Sequence, residues 1–153
     1  MPVFLSHKRE DTPKTLEIAN YLKSNGISCY VDALDSDLKS TDDITKLLTE
    51  RIRQCTHLMA VVSPSTVQSW WVPFEIGVGS ILDRRISTFS SSKTYLPDYL
   101  SKWPILTQQA ELSWFVALYR MDTTVQFSEG RTLDASVSNA DQFHAALKSL
   151  LKQ

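Results

Sequence analysis

A chain of 153 residues fits a single domain, residues 1–153, long enough to bury roughly 70% of the surface its unfolded form exposes. Sixteen Lys and Arg against seventeen Asp and Glu give a formal charge of −1, so no net field draws it to nucleic acid or an anionic membrane. With 42% hydrophobic and 22% charged residues and only four glycines, the composition excludes disordered and collagen-like classes.

In chain order, Val3-Phe4-Leu5 reads as a first strand, and Thr12-Pro13 through Leu16, Ala19 and Leu22 to Gly26 as a helix. Pro13 suits a first helical turn and Gly26 a stop. Ile27 to Val31 is a second strand. A second helix starts near Asp42-Asp43, whose carboxylates favour the positive helix end, and places Ile44, Leu47, Leu48 and Ile52 on one stripe. Leu58 to Val62 is a third strand, Ser69 to about Leu82 a third helix, and Ile86 to Phe89 a fourth strand. Ser90 to Lys93 is a loop on composition, Leu96 to Ile105 carries Pro97, Tyr99, Trp103 and Pro104, and Gln108 to Arg120 can form a helix. Ser128 to Ser138 reads as surface loop. Asn139 caps a last helix, with Gln142 as capping-box partner and Phe143, Ala146, Leu147, Leu150 and Leu151 as its buried stripe. Apolar runs without alternation, separated by helices, imply an α/β fold with a mainly parallel sheet covered on both faces.

Cys29 and Cys55 are too few for a disulfide framework and wrongly spaced for a CxxC site, so two free thiols in a reducing compartment are expected. The start of the chain lacks a signal-peptide apolar region and no run approaches the roughly 20 residues of a membrane span, which makes the expectation cytoplasmic. No metal constellation is present. His7, His57 and His144 are far apart, and His57 reads as a capping or core histidine at the start of the third strand. Trp103, Trp114 and Phe115 read as a cluster packed on the sheet edge, since no basic residues interleave them as a base-stacking platform requires.

Ligands of open α/β sheets bind beyond the carboxyl ends of the strands. Polar residues gather there: Ser6 to Asp11 after the first strand, Asp32 to Asp37 after the second, and Ser63 to Thr66 after the third, with Ser69 heading the next helix. In Ser69 to Leu82, Glu75 is the sole ionisable side chain, four residues after Trp71. A carboxylate on so apolar a helix is costly to bury unless it is paired or kept for a purpose. Glu75 with Trp71 on the same helix face can seat a cationic planar ring, by cation–π and Coulomb attraction. The other reading makes Glu75 the partner of Arg9 or Lys8 in a structural ion pair. Lys8 and Arg9 are either phosphate donors or an ordinary solvated pair, and His7 either contacts substrate or lines the loop. Asp32 and Asp35 either bind ribose or shape their loop.

These residues resemble the TIR (Toll/interleukin-1 receptor) domain family, in its bacterial and plant branch that hydrolyses NAD. Val3 to Asp11 is similar to the family's first strand and S-x-x-x-x-D loop, and Ile27 to Asp32 to its second strand. Leu58 to Ser63 with Ser69 to Glu75 is similar to the third strand and S-x-W-x-x-x-E segment. The match is specific over about the first 90 residues, because order, spacing and residue type agree. Leu96 to Leu100 and the closing helix carry a weaker likeness to bacterial members. The resemblance implies a flavodoxin-like three-layer sandwich with about five strands, and an NAD nucleosidase that cleaves the nicotinamide–ribose bond. NAD is then substrate, with no resident cofactor and no metal. It implies Glu75 as the catalytic carboxylate, and Ser6, His7, Lys8, Arg9, Asp32, Leu34, Asp35, Ser69 and Trp71 as substrate-binding residues. The loop after the second strand closes over substrate and mediates self-association. The product is ADP-ribose, a cyclic isomer or a conjugate, so hydrolase, cyclase and transferase outcomes stay open.

One carboxylate suffices because nicotinamide leaves a pyridinium as a neutral amine, so no general acid is needed, unlike ordinary glycoside hydrolysis. The resemblance extends to the standalone TIR component of Thoeris-type antiphage defence, which implies NAD depletion or an ADP-ribose-derived signal, a trigger protein and a separate effector, with nucleic acid and membrane excluded as partners. Two alternatives remain: a non-enzymatic TIR–TIR interaction module, and a nucleoside or nucleotide N-glycosidase related to deoxyribosyltransferases. Pro73 inside the motif requires that the helix begin late, near Trp70 to Val72. The loop after the second strand lacks the glycine many relatives carry there.

Overall fold

The computed structural model describes residues 2–31, 43–92, 96–128 and 139–153, the side chains of 123–128 excepted. Its strands are β1 (Val3–His7), β2 (Cys29–Val31), β3 (His57–Val61), β4 (Arg85–Phe89) and β5 (Ile105–Leu106). The helices are α1 (Thr12–Ser24), α2 (Ile44–Arg53), α3 (Trp71–Ile81), α4 (Leu112–Ser128) and α5 (Asn139–Leu151). The sheet is parallel throughout, in the order β2-β1-β3-β4-β5. The chain moves outward from β1 to β2, then crosses back to β3 on the other side of β1. The switch point therefore lies between β1 and β3, where open sheets of this kind bind ligands.

Alternation along the strands builds two cores. Val3, Leu5, Met59, Val61, Phe89 and Leu106 pack against α1, α4 and α5 on one face. On the other face Phe4, Leu58, Ala60, Val62 and Ile86 pack against α2, α3, Leu100 and Trp103. The central strands β1, β3 and β4 are buried along their whole length, while β2 is a half-buried edge.

Local signals explain most helix ends. Gly26 adopts φ +79, and Ile27 N–H returns to the Leu22 carbonyl, closing α1 as a glycine stop does. The Asp43 carboxylate accepts from Lys46 N–H at 3.0 Å and caps α2. α3 begins at Trp71, so Pro73 falls in the first turn, where its missing N–H costs no helical bond.

Several expectations are corrected. Ile27 and Ser28 precede β2 rather than forming it. In α1 the buried residues are Thr15, Ile18 and Leu22, and Leu16 is half exposed. In α5 Leu150 faces solvent and Ala140 is buried instead, while Asn139 lies inside the helix rather than ahead of it. The helix expected at 108–120 begins at Leu112, after a short 3-10 turn over Gln109–Glu111, and runs on through Ser128. Trp103, Trp114 and Phe115 form no common cluster. Trp103 and Phe115 lie on opposite faces of the sheet, and Trp114 is exposed. Both cysteines are free thiols, and burial pushes each up to about 11.

Candidate functional site

The site assembles at the carboxyl ends of β1 and β3. Glu75 sits on the buried stripe of α3 with Val72, Ile76 and Gly79, and is 1% exposed. Its Oε2 accepts a hydrogen bond from Ser6 Oγ, which is fully buried. Ser6 follows Phe4 by two residues and so faces α3, while His7 faces α1, where its Nε2 meets Thr12 Oγ1 at 3.1 Å. The expected grouping of Ser6 and His7 thus divides across the sheet.

The loops after β1 and β3 are tied together. Lys8 Nζ pairs with Glu10 Oε1 at 3.3 Å and donates to the Ser65 carbonyl at 3.2 Å, so the Lys8 ion pair is with Glu10. Arg9 is exposed in a 3-10 turn over Arg9–Asp11. The buried Asp11 carboxylate accepts from Thr66 Oγ1 at 3.1 Å, and Thr66 Oγ1 in turn accepts from Ser63 N–H at 2.9 Å. Asp11 and Thr66 are residues to which the sequence assigned no role. The motif spacing from Ser6 to Asp11 was visible, and it serves to hold Glu75 at one end and the β3 loop at the other.

Ser69 Oγ accepts from Val72 N–H at 3.3 Å and so caps the opening turn of α3, a role distinct from the substrate contact expected of it. Trp71 opens α3, is 38% exposed, and packs edge-on to Phe74 with ring centroids 5.9 Å apart. It lies one helical turn before Glu75. Asp32, Leu34 and Asp35 lie outside the described residues. Among the described residues no group of three or more His, Cys, Asp or Glu is placed to hold a metal ion, and no helix is long and apolar enough to cross a membrane.

Chemically, the arrangement offers the Glu75 carboxylate at the switch point, oriented by a hydroxyl, on a helix that opens with an exposed indole. It can stabilise positive charge that develops on a ligand above it.

Comparison with known proteins agrees with the fold. The family model described as "TIR domain" matches residues 3–118. A curated relative, the probable 3' cyclic ADP-D-ribose synthase ThsB' of Bacillus cereus, is 26% identical over 128 residues, which cover 73% of this chain and 66% of that protein. The match therefore spans just under two thirds of the relative's length. Among solved structures, a 2-deoxyribosyltransferase from Bacillus psychrosaccharolyticus superposes with TM-score 0.61 at 11% identity, covering 73% of this chain and 90% of that one. The TIR domain of the Toll-related receptor TRR-2 from Hydra magnipapillata superposes with TM-score 0.60 at 15% identity, covering 81% and 97%. The CMP N-glycosidase BcmB of Clostridium botulinum gives 0.54 at 23% identity, covering 78% and 99%. These three share the fold, a flavodoxin-like α/β sandwich.

Proposed function

Because the chain belongs to the TIR domain family, we propose that it cleaves the nicotinamide–ribose bond of NAD, which it takes as substrate without a resident cofactor. The observation that carries this reading is Glu75, a carboxylate buried at the sheet's switch point and bonded to Ser6. Such a group is costly to keep in an apolar helix, and the N-terminal half of the motif is built around it. A pure interaction module has no use for it.

In the reaction the bond between C1′ of the ribose and the pyridinium nitrogen breaks, and nicotinamide leaves as a neutral molecule with the electron pair. Glu75 binds the ribose hydroxyls and stabilises the positive charge at C1′. The oxygen of water, or a nucleophile of the ADP-ribose itself or of an added acceptor, then bonds to C1′ and releases its proton. Trp71 offers a face to the departing ring, and Lys8, Arg9 and the backbone of the β1 loop serve the phosphates. His7 and Ser69 act one step removed, through Thr12 and through the α3 cap. Asp32, Leu34 and Asp35 belong to the loop that closes over substrate.

Glu75 is covered in this structure, so NAD reaches it only after the covering elements move. Self-association through the loop after β2 completes the site, under control of a trigger protein, and the ADP-ribose-derived product addresses a separate effector in antiphage or stress defence. The ThsB' relative, a probable 3' cyclic ADP-D-ribose synthase, supports a cyclising outcome.

The test is to incubate wild type and Glu75→Gln with NAD over a range of protein concentrations and crowding, with pyrimidine nucleotides in parallel, and to resolve products by mass. Nicotinamide release by wild type, absent in Glu75→Gln, is the expected result, with specific activity rising with concentration. The mass of the second product separates hydrolysis from cyclisation or conjugation. Release from NAD that survives Glu75→Gln, cleavage of nucleotides but not NAD, or no cleavage at any concentration overturns the proposal.

A further inference from the structure

We infer that Ser6 is a positioning residue for Glu75, a hydroxyl set in the sheet to fix the depth and rotation of the carboxylate rather than to touch substrate. The geometry comes from the register of three strands. Ser6 of β1 pairs with Ala60 of β3, which pairs with Thr88 of β4. This row presents three small side chains to α3. The preceding row on the same face is Phe4, Leu58 and Ile86, in register across the same strands. Gly79, one turn after Glu75, lies over that larger row: a Cβ there would meet Leu58 Cδ1 at 3.0 Å and Ile86 Cδ1 at 3.6 Å.

A helical turn advances about 5.4 Å and two strand residues about 6.6 Å, so stepping back from Gly79 to Glu75 moves from the Leu58–Ile86 row to the Ser6–Ala60–Thr88 row. The glycine lets α3 approach the sheet, and the small row receives the carboxylate. Ser6 is fully buried between sheet and helix, and its hydroxyl hydrogen is spent on Glu75 Oε2. A glutamate has three side-chain torsions, and on a buried floor of Ser, Ala and Thr the hydrogen bond selects among them.

The kinetic arm of the test rests on the proposed NAD cleavage, whereas the structural arm does not. Wild type, Ser6→Ala, Ser6→Thr and Glu75→Gln are prepared with carboxyl-13C glutamate, and the Glu75 resonance is identified by its absence from Glu75→Gln. Ser6→Ala is expected to move that resonance and Ser6→Thr, which keeps the hydroxyl, to return it toward the wild-type position. With NAD, Ser6→Ala is expected to lower kcat by about 10- to 100-fold while KM stays within about two-fold, the loss that one hydrogen bond to a charged group commands. Ser6→Thr is expected to recover most of it. An unmoved resonance in Ser6→Ala overturns the inference, as does a rise in KM with kcat intact, which marks a substrate contact. If wild type leaves NAD uncut, the proposed function fails and the resonance alone decides Ser6.

Discussion

The two ends of the sheet bury ionisable groups in different company. At the amino end, Arg85 opens β4 and is 5% exposed; its Nε lies 2.6 Å from Asp122 Oδ2 and its Nη2 donates to Oδ1 at 3.0 Å. His57, which opens β3, is fully buried beside them, with Asp122 Oδ2 3.8 Å from Nε2, Thr56 Oγ1 2.9 Å from Nδ1, and the rings of Phe115, Tyr119 and Phe143 around it. There a buried cation meets its counter-charge through two parallel contacts, and the pair pins α4 to the sheet. At the carboxyl end Glu75 takes its hydrogen bond from a neutral hydroxyl. A charge answered by another charge is taken up by the fold, and the Ser6 hydroxyl orients Glu75 without neutralising it.

That contrast predicts opposite outcomes for the two carboxyl-bearing ends. The largest effect is expected from Glu75→Gln: turnover on NAD falls by about 100- to 1,000-fold, the range for removal of a preorganised electrostatic group, while the thermal midpoint stays within about 3 °C, under ~1.5 kcal/mol at this chain length. Nicotinamide release and a melting curve on the same sample check both halves. Next comes Arg85→Met, which strands Asp122. It is expected to cost about 2–4 kcal/mol, less than a fully buried pair because Asp122 keeps some solvent, or a fall of about 5–15 °C, with activity per folded molecule unchanged. Adding Asp122→Leu is expected to restore most of the midpoint. If Arg85→Met melts like wild type, the amino-end pair is not structural and the comparison fails.

The division between ends explains what the sequence disclosed. β1 and β3 were legible because strands covered on both faces carry apolar runs, as Val3-Phe4-Leu5 and Leu58 to Val62 do, whereas β4 showed through Ile86 and Phe89, which flank the buried hydroxyls of Ser87 and Thr88. β5 was not, because two residues between Pro104 and Thr107 carry no period and exist only by pairing with Thr88 and Phe89. Leu16 and Thr15 exchanged places because α1 lies against the sheet end where Thr15 satisfies its hydroxyl on the Asp11 carbonyl at 2.9 Å, so burial costs it nothing. Within the site, Glu75 stood out as a lone charge in an apolar helix. Which residue of β1 meets it, 69 positions away, was beyond spacing, although alternation along β1 already separated Ser6 from His7.

A smaller effect follows from the histidines of the amino end. Burial, reinforced by Arg85, holds the His57 imidazole well below its ordinary value near 6.5. Burial also lowers His144, against the pull of Asp141, and its Nε2 accepts the Ile86 N–H at 2.8 Å, a bond that requires an unprotonated nitrogen. Below pH 6.5 the unfolded chain binds protons on these rings that the folded one refuses, so stability is complete above that value and is lost as pH falls. Between pH 7 and 5.5 the unfolding free energy from denaturant titration is expected to drop by about 1 kcal/mol. Asp43 and Glu10 leave this window clear, since backbone hydrogen bonds lower both carboxyls and their contribution is lost only at more acid pH. A flat profile from pH 7 to 5.5 contradicts the buried neutral rings.

The smallest effect sharpens the comparison along α3 itself. Gly77 is exposed, and a Cβ there meets nothing within 4 Å. Gly77→Ala is therefore expected to stabilise the protein by about 0.5–1 kcal/mol through helix propensity alone and to leave turnover unchanged. Gly79→Ala gains the same propensity, but its methyl meets the fully buried Leu58 Cδ1 at 3.0 Å, so side chain or helix must yield by a few tenths of an ångström. Overpacking of that size offsets the gain, leaving stability within about 1 kcal/mol of wild type. Lifting α3 lengthens the reach from Glu75 to Ser6, and turnover is expected to fall by about 3- to 10-fold, since small misplacements of a reacting group are costly. Two alanines two residues apart thus separate helix stability from carboxylate placement. Equal turnover in both variants means that the depth of α3 does not set the position of Glu75.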